Sequence, residues 1–405
     1  MTPDRDRFME DGYLVLKNVV PPDELDRLRS VYETLVTRQR AIWAQTGGTP
    51  EAPGGVWDTS AQPRLGLHNE LQLIDEQTAE AVEFWLHDNT LGVSRELLGT
   101  PDPGVTEMML MCNPVRDHGP ADWHRDVHPI DTAPLEGYLL DLQENGPRYV
   151  QWNISLYDDD VLWVVPGSHL RVNTEEENRS LLADRRTPVP GGVQTHLKAG
   201  DGVVYILPIL HWGSNYSTKL RRTIHGGYSN FTQYPDLSYT RYLKPESRAM
   251  FERWDQRSQA MQAITKAALR AVIRRDRTGY LDALDQLHPG RGNEGKRLST
   301  VYLCKAALFI YLAKRPDMED IHPALRGSAK RPHPGTLNWG VPFSELFSME
   351  EAELLWRRFQ PMDARLQADE PIFEPGFQGG PMRYYFNRLP DDLTVDGFLA
   401  GWDVA

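Results

Sequence analysis

The chain has 405 residues, 40% hydrophobic and 25% charged, an ordinary globular composition that excludes a collagen, a coiled coil or a disordered tail. Its 44 basic and 57 acidic residues give a formal net charge of −13 with no basic block, which excludes a general nucleic-acid or anionic-membrane surface. Two cysteines, Cys112 and Cys304, cannot build a disulfide framework or a zinc motif, and they fit a reducing cytoplasm.

The N-terminus is polar and of mixed charge, unlike a signal peptide. Tyr13-Leu-Val-Leu16 reads as a strand, and Pro21-Pro-Asp-Glu24 opens a helix with Leu25, Leu28, Tyr32 and Leu35 on its apolar face. Residues 46–64 carry loop chemistry, and a second helical pattern over Glu76–Leu98 stops at Gly99. From about Val105 to Phe231 the texture changes to short β-rich runs: Glu107–Cys112, Tyr149–Tyr157, Val161–Val165, Gly202–Leu207 and Thr223–Ser229. Strands without interleaved helices predict an antiparallel sandwich or barrel.

After Pro235 the pattern is helical again. Trp254, Met261, Ile264, Ala268 and Val272 form one stripe, Leu281, Leu284 and Leu287 a second, and Ser348-Met-Glu-Glu351 is a capping box. The apolar run Val301 to Ala313 contains Lys305 and is shorter than the roughly 20 residues of a membrane span, so it predicts a buried helix. The chain therefore divides into a mainly β domain with flanking helices, 1–236, and a mostly helical extension, 237–405. The extension is expected to pack on the β core as a lid or a homodimer interface, with the Pro371–Tyr385 stretch wrapping back.

The most informative segment is Asp122-Trp-His124-Arg-Asp126-Val-His128. On extended chain an imidazole and a carboxylate two residues apart point the same way and can share one ion. Further on, Gly200–Leu210 reads as a turn and strand closed by His211, and Arg222 follows eleven residues later. Two histidines and one carboxylate on one face of a metal are the usual ligands of a non-haem Fe(II) oxygenase. An arginine at that spacing could hold a carboxylate beside the metal. His128 and His225 are weaker rivals as ligands, and His169, after Pro-Gly-Ser, suits a loop-fixing hydrogen bond better than iron. Arg221 is the rival of Arg222: strand alternation sends the two to opposite faces, and the spacing favours Arg222.

These segments together resemble the phytanoyl-CoA dioxygenase (PhyH-like) family of Fe(II)/2-oxoglutarate-dependent oxygenases. The resemblance covers roughly residues 6–231 and rests on Phe8-Met-Glu-Asp-Gly-Tyr-Leu-Val-Leu16, Trp123-His-Arg-Asp126, Leu162-Trp-Val-Val-Pro-Gly-Ser-His169, and His211-Trp-Gly-Ser-Asn215 followed by Arg222. It implies a double-stranded β-helix, or jelly roll, with His124, Asp126 and His211 as iron ligands and Arg222 on the distal carboxylate of 2-oxoglutarate. It also implies the cosubstrates 2-oxoglutarate and O2, release of succinate and CO2, and hydroxylation of an unactivated C–H bond. Related halogenases have a small residue in place of the carboxylate, so Asp126 favours hydroxylation.

The sequence departs from the family at two places. Gly213 stands where some relatives have a cosubstrate-binding serine, leaving Ser214 or Asn215 for that role, and Asp158-Asp-Asp160 replaces a Glu-Asn-Gly turn. Arg116, His118, Arg148 and Trp152 fall near the expected mouth and are candidate substrate contacts. Gly290-Arg-Gly-Asn-Glu-Gly295 matches a dinucleotide fingerprint but follows a helix, without βαβ context. The expected partner is a small-molecule metabolite, with no nucleic acid and no membrane. Two competing classes are a zinc hydrolase on the same ligands and a non-catalytic binding protein.

Overall fold

A computed structural model describes residues 1–67, 73–128, 130, 134–288, 290, 292–315, 321, 323–384 and 389–402. Arg291 of the glycine-rich segment and Tyr385, the end of the expected wrapping stretch, lie outside the described residues. The chain forms two compact units, one of residues 1–126 and 147–255, the other of residues 127–146 and 256–405. The expected boundary at 236 thus falls inside the first unit, and the segment 127–146, expected in the β domain, belongs to the second.

The first unit contains two antiparallel sheets. The strands are β1 (Tyr13–Leu16), β2 (Arg64–Gly66), β3 (Gly104–Cys112), β4 (Tyr149–Ser155), β5 (Trp163–Val164), β6 (Val193–Gln194), β7 (Gly202–Tyr205), β8 (His211–Trp212) and β9 (Arg222–Ser229). Six form a larger sheet in the order β1-β7-β4-β9-β3-β2, and three a smaller sheet, β6-β5-β8. Leu162 and Val164 of the smaller sheet's side pack in one buried cluster with Val203, Tyr205 and Ile209, so the sheets face each other across an apolar layer.

Strand alternation divides the larger sheet into an inner face toward that layer and an outer face covered by helices. On β4 and β9, Trp152 donates to Ser94 Oγ at 2.9 Å and Tyr228 to the Trp85 carbonyl at 2.6 Å, both on the helix side. Gln151, Asn153, Thr223 and His225 alternate with these residues and point the other way.

The helices follow their expected stripes with two differences, the first being that Leu281 is exposed while Tyr280 and Ala283 join Leu284 and Leu287 on the buried face. Leu25–Gly47 is one helix burying Leu28, Tyr32 and Leu35. The expected single helix over 76–98 is broken instead: Glu80–Glu83 is α-helical, Phe84–Leu86 tightens to a 3-10 turn, His87 is extended, and a π-turn, Asp88–Gly92, precedes the helix Val93–Leu98. The periodicity of buried Ala81, Val82, Phe84, Trp85, Leu91, Val93 and Leu97 is insensitive to such local changes in winding, so it hid the breaks.

The second unit is helical, with one hairpin of β10 (Gln367–Ile372) and β11 (Met382–Tyr384). The helix Glu294–Lys314 runs through its centre and buries both faces of the apolar run that begins at Val301. The capping box at Ser348 and Glu351 is present on the helix Met349–Arg365. The glycine-rich segment serves the fold of this unit. Gly292 takes φ 69°, and the Glu144 carboxylate accepts from the backbone N–H groups of Asn293, Glu294 and Gly295. A dinucleotide phosphate would need that same helix start, which an internal carboxylate already fills.

Candidate metal centre

Residues 119–126 run antiparallel to residues 207–215. Asn215 N donates to the Gly119 carbonyl at 2.8 Å, Ala121 N to Gly213 at 3.2 Å, and Asp126 N to Leu207 at 3.3 Å. His124 and His211 lie opposite each other, exchanging backbone hydrogen bonds of 2.9 and 3.0 Å, and their ring centroids are 4.3 Å apart. Asp126, two residues along, turns to the same side. The Nε2 atoms of His124 and His211 lie 3.7 and 3.5 Å from the Asp126 carboxylate oxygens, and one ligand atom from each residue falls within 4.8 Å of the others.

The tautomers follow from what the other ring nitrogens touch. His124 Nδ1 lies 2.8 Å from the Asp122 carbonyl and His211 Nδ1 3.0 Å from the Ile209 carbonyl. A carbonyl only accepts, so each Nδ1 carries the hydrogen and each Nε2 presents its lone pair to the shared space. Burial, reinforced by His124, pushes the His211 pKa down to about 4, so the ring is neutral at pH 7. Burial acts to raise the Asp126 pKa, but His211, His124 and the Gln151 hydrogen bond outweigh it and hold the carboxyl below its ordinary value. Gln151 donates to Asp126 Oδ2 at 3.0 Å and to the Tyr205 hydroxyl at 2.7 Å.

Arg125, between the two ligands in sequence, points away from them and is fully buried. Its guanidinium donates to the Ser168 and Pro208 carbonyls at 2.6 and 2.5 Å and to Asn173 Oδ1 at 2.8 Å. Burial lowers its pKa to about 9, and it stays charged at neutral pH. Ser168 Oγ accepts from Leu210 N at 2.8 Å, and His169 Nε2 lies 2.9 Å from the Met9 carbonyl. The His169 ring lies where a Cβ on Gly12 would sit, 2.3 Å from Nδ1, which requires glycine in the Asp-Gly-Tyr segment. The Pro-Gly-Ser-His motif thus fixes the backbone that carries His211.

The two arginines separate as alternation demands. Arg221 Nε is 3.1 Å from Asp159 Oδ2, which also accepts from Thr223 Oγ1 at 2.7 Å, so Arg221 lies on the inner face with Thr223 and His225. Arg222 Nε is 2.9 Å from Glu33 Oε1 on the helix Leu25–Gly47, and its Nη1 donates to Asn113 Oδ1 at 3.1 Å. The expected placement of Arg222 beside the metal is therefore corrected. Counting residues from His211 fixes the arginine only if the loop length is known, whereas the face is fixed by the strand.

Ser214 and Arg221 line one cavity of about 370 Å³ with Asp159, Trp163, Trp212 and Lys219. Asn215 contributes its backbone to the pairing with residues 118–119. The Asp158–Asp160 turn is held by three cations, Lys198 on Asp158, Arg221 on Asp159 and Lys219 on Asp160. Trp152 is fully buried on the helix side, which removes it from the candidate substrate contacts. Arg116 and His118 lie on an exposed loop and Arg148 is half-buried ahead of β4. His128 Nδ1 sits on the Phe377 carbonyl in the second unit, and His225 Nδ1 on Asn153 Oδ1 at 2.6 Å.

Residues 8–224 match the phytanoyl-CoA dioxygenase (PhyH) family. The chain belongs to that family. Membership in the phytanoyl-CoA dioxygenase family makes it a 2-oxoglutarate-dependent non-haem iron dioxygenase, and the convergent His, Asp and His side chains are a donor set suited to Fe(II). Solved structures with similarity include EctD from S. alaskensis with 2-oxoglutarate and 5-hydroxyectoine, at 21% identity over 56% of this chain and 74% of that one, TM-score 0.39. AviO1 from Streptomyces viridochromogenes Tue57 is 22% identical over 56% and 92%, TM-score 0.39. The non-heme alpha ketoglutarate dependent epimerase SnoN from nogalamycin biosynthesis is 16% identical over 60% and 84%, TM-score 0.37. No curated protein matches the sequence.

Sequence reasoning missed Gln151, Asn153 and Tyr205 on the inner face of this phytanoyl-CoA dioxygenase relative. The usable signal was the polar alternation Gln151, Asn153, Ser155 within an otherwise apolar strand, which marks a face that meets a polar site.

Proposed function

We propose that this protein hydroxylates an unactivated C–H bond of a small-molecule metabolite, with Fe(II) held by His124 Nε2, the Asp126 carboxylate and His211 Nε2. The observation that carries the reading is the pairing of each Nδ1 with a backbone carbonyl, which aims both Nε2 lone pairs at the Asp126 carboxylate. When bound, iron with 2-oxoglutarate and O2 supplies the oxidant, and 2-oxoglutarate leaves as succinate and CO2.

The protein's own contribution is positional. Gln151 holds one Asp126 oxygen and so orients the carboxylate. Arg221, which shares Asp159 with Thr223 on the inner face, is the proposed anchor for the distal carboxylate of 2-oxoglutarate, in place of Arg222. The two facing antiparallel sheets are read as the halves of a double-stranded β-helix, supported by their shared apolar layer. A cytoplasmic location is supported by two buried, unpaired cysteines.

The test is anaerobic titration of Fe(II) into the metal-free protein with 2-oxoglutarate. A visible charge-transfer band in the wild type that His211→Ala abolishes, followed by succinate release when O2 is admitted, is the expected result. A folded wild type that binds the metal without the band would overturn the oxygenase reading and move zinc hydrolysis to the front.

A further inference from the structure

The inner face of the larger sheet carries one acidic side chain that the iron site does not use. On β3, Met108, Leu110 and Cys112 are buried toward the helices, whereas Glu107, Met109 and Met111 point inward. The β3–β9 register sets Glu107 opposite Gly227, Met109 opposite His225 and Met111 opposite Thr223. On the next strand Asn153 pairs with His225 and Gln151 with Gly227, and Gln151 is the residue bonded to Asp126. Glu107 is therefore on the metal side of the sheet, two strands from Gln151.

Solvent reaches the side chains around it. Glu107 is exposed and Met109, Met111 and Tyr149 are partly exposed, although the sheet face around them points into the unit. Gly227 supplies no side chain there, and a Cβ on it would lie 2.3 Å from the Tyr149 ring and hydroxyl, so the Tyr149 ring occupies that space. Burial together with the nearby Asp126 raises the Glu107 pKa, and Arg64 offsets this only in part. Among the described residues no hydrogen bond or ion pair to the Glu107 carboxylate is found. Arg64, which pairs with Met111 through β2, stands further along the same face.

A carboxylate that solvent reaches and that no protein cation pairs is open to a cationic ligand entering from solvent. Its position toward Asp126, its accessibility and the flanking methionines and tyrosine describe half of a binding site for a cation on an apolar body. We propose that Glu107 is a substrate-specificity residue that receives a protonated amine of the substrate, with Met109, Met111 and Tyr149 contacting the carbon skeleton beside it. This names the substrate class as small organic amines, and it rests on the iron-oxygenase reading only for what happens after binding.

The test uses matched probes on the whole chain loaded anaerobically with Fe(II) and 2-oxoglutarate: phenethylamine, N-acetylphenethylamine and 3-phenylpropionate, with hexylamine, N-acetylhexylamine and heptanoate as an aliphatic series. Binding is read by equilibrium dialysis, independently of the charge-transfer band, which is recorded in parallel. The wild type is expected to prefer the amine in at least one series by about tenfold or more. Glu107→Gln should abolish that preference, and Glu107→Lys should reverse it toward the carboxylate. Equal binding of amine and neutral amide in both series, or an amine preference that survives in Glu107→Gln, would overturn the proposal. A missing band with the amine preference intact would overturn the oxygenase reading alone.

Discussion

Arg221 and Arg222, consecutive in sequence at the start of β9, make ion pairs on opposite sides of the sheet: Arg221 with Asp159 at 3.1 Å on the inner side, Arg222 with Glu33 at 2.9 Å on the helix side. The two substitutions should therefore fail differently. Arg221→Ala is expected to raise the 2-oxoglutarate concentration needed for the charge-transfer band by about 10–100-fold, the scale of a lost charge-assisted pair. Arg222→Ala is expected to leave that titration near wild type and to cost about 1 kcal/mol of stability, since Glu33 keeps access to water. Urea unfolding beside the 2-oxoglutarate titration separates the two, and the opposite assignment would restore Arg222 as the anchor.

Gln151 gives a second prediction. Its amide bridges Asp126 and the Tyr205 hydroxyl, a contact that orients a metal-facing carboxylate without itself facing the metal. Gln151→Leu should weaken Fe(II) binding about 10–100-fold while leaving the fold intact by circular dichroism. Gln151→Asn, which is shorter by one methylene, should not restore it. Fe(II) affinity equal to wild type in both variants would show that Asp126 is positioned by its backbone alone.

Much of this site was legible because its determinants are local. His124 and Asp126 stand two apart on extended chain, and His211 closes an apolar strand, so periodicity and residue type suffice to find them. What stayed hidden depended on how distant segments meet. Arg221 and not Arg222 lies on the inward face because that face is decided by the register of β9 with β3 and β4, and one residue of loop length shifts that count. Trp152 looked like a mouth residue by its position in the chain, yet β4 alternation sends it to Ser94 on the helix side. The second unit's claim on residues 127–146 has no compositional mark, since a helix such as Leu135–Asn145 shows only that it needs an apolar surface, not which one.

Arg125 yields a prediction about stability. It is fully buried, with donors on two backbone carbonyls and on Asn173. Arg125→Met fills a similar volume and leaves those acceptors without their donor, so it should destabilise the protein by about 2–4 kcal/mol. Lysine cannot reproduce the fork of N–H groups and should rescue only a minor part. Chemical denaturation of the three proteins at one pH reads this directly. A loss below about 1 kcal/mol in Arg125→Met would mean that the Ser168 and Pro208 segments hold without it.

The buried histidines set the acid limit of the metal-free protein. Burial lowers the His169 pKa to about 4 and the His225 pKa to about 3, against about 6.5 in an unfolded chain. As pH falls below about 6.5 the unfolded chain takes up protons that the folded rings refuse, so stability is full above that value and declines toward the folded pKa of each ring. The slope is about 1.4 kcal/mol per pH unit for each histidine. His169→Gln keeps a donor for the Met9 carbonyl and removes one titrating ring, so the pH dependence of its unfolding free energy between pH 6 and 4.5 should be shallower than wild type by about that amount. Identical slopes in the two proteins would mean that His169 is protonated in the folded state, and that its ring nitrogen beneath Gly12 carries a charge the packing accommodates.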